Sequence, residues 1–161
     1  MNKNLYFPRW MKILFCIALC TFGACSTRSP QKFSTNKFSI NFPENFHIES
    51  NNAGTIFAAS KSTDSVIIVD YEDIENKENR NFCNNLREDF FSKITSNRES
   101  SELYGFFIKR DGYDLENKEI FASLAFYCKK GIALHISYIY KSPSRYTDEL
   151  FSKLIHEVNF K

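Results

Sequence analysis

The chain lacks most of the short motifs that define catalytic and cofactor-binding sites. It has only five glycines in 161 residues and neither a GxGxxG nor a Walker pattern, which excludes glycine-rich phosphate-binding loops. No GxSxG, HExxH or CxxC sequence occurs, so the signatures of serine hydrolases, zinc peptidases and thiol oxidoreductases are missing. Five cysteines are too sparse for a small disulfide-rich scaffold. We therefore predict no cofactor and no catalytic residue.

Long apolar runs and strong charge are also missing. The mainly apolar stretch near the N-terminus, residues 13–22, makes a helix of about 15 Å, half of the ~30 Å needed to span a bilayer. The formal charge is +2, from 21 basic and 19 acidic residues, whereas nucleic-acid binders carry a concentrated basic surface. We predict neither a transmembrane span nor a nucleic-acid partner. The 43% hydrophobic content is that of a folded globular domain.

The first 24 residues have the layout of a secretory signal peptide. Lys3, Arg9 and Lys12 are the only charged side chains before Cys25, and the apolar stretch 13–22 follows them, as in the n- and h-regions of signal peptides. Translation from Met1 or from Met11 gives such a signal. Its removal would leave 18 basic and 19 acidic residues, and a chain without tryptophan.

The signal ends in Phe22-Gly23-Ala24-Cys25, which resembles the lipobox of bacterial lipoproteins. The resemblance implies that Cys25 is acylated on sulfur and becomes the N-terminus, although Phe22 stands where Leu is commonest. Cys20 is a poorer candidate because Leu19 precedes it. Residues 25–36 are polar except for Phe33 and predict a flexible tether. In the lipoproteins that this signal resembles, the residue after the lipidated Cys helps decide sorting. The resemblance implies that Ser26 permits the outer membrane, and we expect a location there, facing the periplasm, rather than at the inner membrane.

The apolar patterns of residues 37–161 predict a single α+β domain. Apolar alternation predicts strands at 38–42 and 55–59, with a weak strand at 46–49. A continuous apolar run predicts a central, fully covered strand at 65–71, and three more strands are expected at 103–110, 119–129 and 132–140. Turns are expected at 62–64, 111–112 and 129–131. We predict one antiparallel sheet of about six strands packed against two helices, in the order β-β-β-α-β-β-β-α.

Four-residue spacing of apolar side chains predicts the two helices. The first has the stripe Phe82, Leu86, Phe90 and Ile94. The last begins with Ser142 as N-cap and Pro143 in the first turn, and its inner stripe is Tyr146, Leu150, Leu154 and Val158, supported by Phe151 and Ile155.

This element order and the opening FSINFPENF resemble the PsbP-like fold. That group includes photosystem subunits, a nuclear-import regulator that binds a small GTPase, and bacterial lipoproteins. The resemblance covers residues 37–161 and implies an accessory or binding role without transferring any functional residue.

The remaining candidate residues each have a structural and a functional interpretation. His47, His135 and His156 have no second ligand at metal spacing. The acidic group Asp70, Glu72, Asp73, Glu75 and Glu78 indicates a solvated loop rather than a Ca²⁺ site, because the EF-hand spacing is missing. Tyr127, Tyr138 and Tyr140 either pack in the core or line a groove.

Cys83 and Cys128 are the only cysteines after Cys25. In an exported domain they either form a disulfide between helix and sheet or remain buried free thiols. A bond requires their Cα atoms to lie within ~7 Å.

We predict a non-enzymatic lipoprotein of the cell envelope. Its partners would be the membrane, through the lipid on Cys25, and another envelope protein. Two alternatives remain: a hydrolase that uses His135 or His47 beside a carboxylate, and an immunity-type lipoprotein that neutralises a secreted toxin.

Overall fold

The structure is a computed structural model that describes residues 30–75, 80–92, 101–115 and 118–161. The predicted signal peptide, Cys25, the start of the predicted tether, Glu78 and Ile94 lie outside these ranges. The described residues form helices α1 (Arg80–Phe91) and α2 (Arg145–His156). Their strands are β1 (Lys32–Ser34), β2 (Phe38–Asn41), β3 (His47–Asn52), β4 (Thr55–Ser60), β5 (Ser65–Asp73), β6 (Ser101–Leu103), β7 (Phe106–Leu115), β8 (Lys118–Lys129), β9 (Ile132–Tyr140) and β10 (Asn159–Phe160).

The strands form two antiparallel sheets. The main sheet has the order β3-β4-β5-β9-β8-β7-β6, and a small sheet has the order β1-β2-β10. The α+β class with two helices and an antiparallel sheet is confirmed, but the prediction of one sheet with about six strands is wrong. Strand β2 pairs with β1 and β10 because its apolar side chains, Phe38 and Ile40, are buried in the core beneath the main sheet.

The two faces of the main sheet carry different layers. Because strand side chains alternate between faces, one set of residues packs against the small sheet and α2; we call this the core face. Phe151 of α2 stacks on Tyr138 with ring centroids 6.4 Å apart, and Phe160 of β10 stacks on Tyr127 at 3.9 Å. We call the other face, under α1, the α1 face. Its buried residues are Phe57, Val66, Ile68, Ala122, Leu124 and Phe126, and Phe91 of α1 packs on them.

Strand β1 extends the folded region to the N-terminal side of the predicted domain start at residue 37. It pairs with β2 from Lys32 opposite Asn41 to Ser34 opposite Ser39. Phe33, the one apolar residue of the predicted tether, packs against Tyr71 with ring centroids 5.8 Å apart. Burial of this ring orders a polar segment that has little hydrophobic content of its own.

The prediction of a turn at Asp111-Gly112 is wrong. Both residues lie inside β7, where Asp111 pairs with Ala122 and Gly112 with Phe121. Pairing with β8 continues to Leu115 opposite Lys118, so ladder hydrogen bonding overrides the local preference of Asp-Gly for a turn. The observed turn in this region is Tyr104-Gly105, between β6 and β7.

Helix α2 begins later than predicted. Its N-cap is Ser144, whose hydroxyl accepts a bond from Thr147 N at 3.2 Å, while Thr147 Oγ1 accepts from Ser144 N at 2.9 Å. Ser142 cannot form this reciprocal box because Arg145, three residues on, has no acceptor. Tyr146, predicted in the inner stripe, is 55% exposed in the first turn of the helix. The buried apolar residues of the helix are Leu150, Phe151, Leu154 and Ile155.

Candidate functional site

A polar and aromatic row crosses the α1 face of the main sheet. Thr55 pairs with Asp70, Asp70 with His135, and His135 with Phe126. Directly paired residues of antiparallel strands point to the same face, with Cβ atoms ~5 Å apart. These four residues, from β4, β5, β9 and β8, form what we call the Asp70 row.

The polar half of the row is connected by a short hydrogen bond. Thr55 Oγ1 donates to Asp70 Oδ1 at 2.5 Å, which holds the carboxylate on the sheet surface beside His135. Thr55, Asp70 and His135 are all partly buried. A carboxylate, a hydroxyl and an imidazole on neighbouring strand positions place several hydrogen-bonding groups on one face of the sheet. The row therefore has the chemistry of a hydrogen-bonding site.

Helix α1 covers the aromatic half of the row. The Phe90 ring stacks on His135 with centroids 4.7 Å apart, and His135 also lies 5.1 Å from the Phe126 ring. The Arg87 guanidinium lies 4.5 Å from the centroid of Phe107, whose strand position is opposite Phe126. Helix α1 thus covers His135 and Phe126, whereas Asp70 and Thr55 form a partly exposed part of the row.

A disulfide joins α1 to the sheet beside the row. Cys83 and Cys128 are bonded, with Cα atoms 5.8 Å apart. Cys128 is two residues after Phe126 on β8 and therefore on the same face. The bond fixes the first turn of α1, whereas Phe90 and Phe91 pack the last turn against Phe126.

The other predicted site residues are spread over the molecule. His47 pairs with Ala59, at the end of β4 opposite to Thr55. His156 ends α2, where its ring lies edge-on to Tyr104 at 5.0 Å. Of the three histidines, only His135 pairs directly with a carboxylate-bearing strand residue in the described ladders. The sequence did not reveal this pairing, because it depends on β9 lying next to β5.

The acidic group is divided between two partners. Asp70 bonds to Thr55, while Asp73 and Glu75 both contact Lys37 Nζ, at 2.8 and 3.5 Å. Lys37 Nζ also donates to the Gly131 carbonyl at 3.0 Å. The hydrogen bond raises the pKa of Lys37 and lowers the pKa of Asp73. These contacts join the small sheet to the main sheet.

The three tyrosines with alternative interpretations are buried. Tyr127, Tyr138 and Tyr140 belong to the core face, with Tyr138 fully buried, so the groove interpretation is wrong. Their strand positions place them under the small sheet and α2. Burial raises the pKa of the Tyr138 phenol, and the Ser65 hydroxyl opposes that shift.

Two further searches concern the described ranges only. No three His, Cys, Asp or Glu side chains in them are grouped as metal ligands would be. Neither of the two described helices is long and apolar enough to cross a bilayer.

No protein-family description matches the chain, and no curated protein matches it in sequence. Its structure is similar to a crystal structure from Bacteroides thetaiotaomicron at a TM-score of 0.61 and 12% identity, over 82% of this chain and 48% of that one. This chain therefore spans about half the length of the Bacteroides protein.

Two shorter proteins are also similar. The Ran-binding protein Mog1p of Saccharomyces cerevisiae matches at a TM-score of 0.53 and 10% identity, over 82% of this chain and 95% of that one. Cyanobacterial PsbP (CyanoP) from Synechocystis matches at 0.48 and 10% identity, over 89% and 99%. At these identities the likeness concerns the fold alone.

Proposed function

We propose that this protein is a membrane-anchored lipoprotein of the cell envelope that acts as a binding module rather than as an enzyme. Its anchor is the acylated Cys25, and the domain after the tether presents a binding surface to another envelope component. The outer membrane, on its periplasmic side, is the proposed location.

The observation that carries this proposal is the Cys83–Cys128 disulfide. Disulfides persist in oxidising compartments such as the bacterial periplasm and are rare in the cytosol. A domain whose two remaining cysteines meet in this way fits the exported location that the signal sequence and lipobox predict. The two observations are independent, since one comes from residues 1–25 and the other from tertiary structure.

The binding role rests on the fold and on the Asp70 row. Mog1p is a Ran-binding protein, so a chain with this fold is compatible with protein recognition. The partly exposed Thr55 and Asp70 lie on the same face of the main sheet as the residues that α1 covers. They supply polar groups on a face that also carries aromatic side chains, a combination found in protein-binding sites.

The anchor is tested by acylation in cells. Cys25→Ala is expected to abolish incorporation of a labelled fatty acid and to move the protein from the detergent phase to the aqueous phase. Cys20→Ala is the matched control, since it removes the other signal cysteine near the lipobox and should leave both readouts unchanged. Labelled Cys25→Ala protein would reject the proposal.

One specific observation favours an enzyme as a second candidate: the direct pairing of Asp70 with His135. A hydrolase working through this pair would lose activity in Asp70→Asn and in His135→Asn while His156→Asn retained it. A panel of chromogenic esters, tested with purified protein, distinguishes the two roles. Hydrolysis that depends on Asp70 and His135 would replace the binding proposal.

A further inference from the structure

The segment between the proposed anchor and the folded domain is short. Gln31 is already part of the domain, because its carbonyl accepts from Phe42 N at 2.8 Å and its side-chain Oε1 accepts from Ile48 N at 2.5 Å. Only residues 26–30 separate it from Cys25. Fully extended, the chain from Cys25 to Gln31 spans about 20–22 Å. Anchoring at Cys25 would therefore hold one end of the domain close to the bilayer.

The contacts of Gln31 identify that end. Phe42 follows β2, and Ile48 begins β3. The loop between them reaches the β4–β5 turn, because Asn45 Nδ2 donates to Ser60 Oγ at 3.1 Å. Asp64 of that turn forms an ion pair with Lys141, which follows β9. Residues 43–45, 61–64 and 141–146 thus form one end of the molecule, which we call the anchor end.

Helix α2 runs from the anchor end to the opposite end. Its first turn contains Tyr146, and its last residue, His156, contacts Tyr104. The helix has twelve residues and is therefore about 18 Å long. Tyr146 and Tyr104 are the exposed large hydrophobic side chains of the described residues, at 55% and 59% exposure.

The side chains of the anchor end have the composition of a membrane interface. Lys61, Lys141, Arg145 and Tyr146 are all exposed there. Lysine and arginine place apolar stems in an interface and their charges at the phosphates, and tyrosine is enriched at headgroup level. Two of these cations form ion pairs, Lys141 with Asp64 and Arg145 with Glu149, and Glu44 and Asp148 are further exposed acidic residues at or next to this end. The resemblance to a membrane interface therefore rests on Tyr146 and on the long side chains of the cations, and not on net charge.

We propose that the anchor end lies on the surface of the same bilayer that holds the lipid, with Tyr146 at the level of the phospholipid headgroups. This rests on the proposed function, since it requires acylation of Cys25. The domain is then oriented by its short tether, and the end that carries Tyr104 points away from the membrane.

The mature chain allows a direct test because its sequence after Cys25 contains no tryptophan. Tyr146→Trp and Tyr104→Trp each introduce a single fluorescent reporter at positions of similar exposure but opposite ends. The acylated proteins are reconstituted in phosphatidylcholine and phosphatidylglycerol vesicles that contain lipids brominated near the headgroup. Lys61→Trp provides a second reporter at the anchor end.

We expect the bromolipids to quench Tyr146→Trp and Lys61→Trp by about half and to leave Tyr104→Trp nearly unchanged. Inserting a 20-residue Gly/Ser linker between Pro30 and Gln31 should reduce the quenching at Tyr146→Trp while the protein still floats with the vesicles. Equal quenching at both ends, or none at Tyr146→Trp in a floating protein, would overturn the orientation and leave the anchor intact. Protein that does not float would overturn the anchor as well.

Discussion

Breaking the Cys83–Cys128 bond is the perturbation whose consequence the structure determines most directly. The bond closes a loop with a sequence separation of 45 residues, which includes α1 and most of the β6–β7–β8 meander. Cross-linking two points of an unfolded chain lowers its conformational entropy, so removal of the link stabilises the unfolded state.

The size of the effect follows from the loop length. For a loop of this size, the chain-entropy relation gives about 4 kcal/mol at 25 °C. In a domain of this length, such a loss lowers the melting temperature by roughly 10–20 °C. The double variant Cys83→Ala/Cys128→Ala should show this loss. Each single variant should lose nearly as much, because either one removes the same bond and the effects do not add.

Urea unfolding followed by circular dichroism measures the free energy in each form. Wild-type protein in reductant is the matched control, since it breaks the bond without changing the side chains, and it should follow the double variant. Hydrogen exchange adds a local test, in which α1 loses protection on reduction before α2 does. This order is expected because the bond is the covalent attachment of α1, whereas α2 is held by the buried residues Leu150 and Phe151.

Two results would refute this reasoning. Alkylation of both cysteines in native, unreduced protein would show that the bond is not formed. A loss of less than about 1 kcal/mol in the double variant would show that the loop contributes little to the unfolded-state entropy.

Three further predictions concern single contacts. The hydrogen bond from Lys37 lowers the pKa of Asp73, so this contact stabilises the fold above the unfolded pKa of Asp73. The stabilisation is lost as the pH falls through the lower, folded pKa of Asp73. The raised pKa of Lys37 sets the upper limit, because the stabilisation is also lost as the pH rises through the folded pKa of Lys37. Urea midpoints between pH 2 and 6 should therefore depend less on pH in Asp73→Asn than in wild type, and parallel curves would contradict this. Ser144→Ala removes the N-cap of α2 and should cost about 1 kcal/mol, whereas Ser142→Ala should cost nothing measurable; equal losses would restore Ser142 as the cap. Phe151→Ala empties a fully buried core position and should cost about 3–5 kcal/mol in thermal or urea unfolding, so a loss below 1 kcal/mol would contradict its place in the core.

Local patterns predicted most of the secondary structure. The strand at β9 was predicted with its observed bounds, and the apolar run of β5 correctly indicated a central strand, since β5 lies between β4 and β9. Period-two and period-four patterns depend only on neighbouring residues, which makes them readable without tertiary information. The errors at Asp111-Gly112 and at Ser142 arose where a long ladder or a reciprocal capping box outweighed the local signal.

The candidate site was much less accessible to sequence reasoning. His135 lies on the α1 face, opposite to Leu134 and Ile136, as the alternation of side chains along a strand requires. Its pairing with Asp70 depends on which strands are neighbours and in what register. Register is specified by burying the apolar sets of all the strands together, a property of the whole sheet that no single segment contains.

The sequence by itself indicated the α+β class and the two amphipathic helices, and it predicts a lipoprotein signal peptide that ends before Cys25. Tertiary structure alone decided three features. These are the small sheet that includes β1, the approach of the Cα atoms of Cys83 and Cys128 to 5.8 Å, and the row formed by Thr55, Asp70, His135 and Phe126. The physical reason is the same for all three. Each joins segments that are distant along the chain, and their approach is determined by the packing of both faces of the main sheet rather than by the preferences of nearby residues.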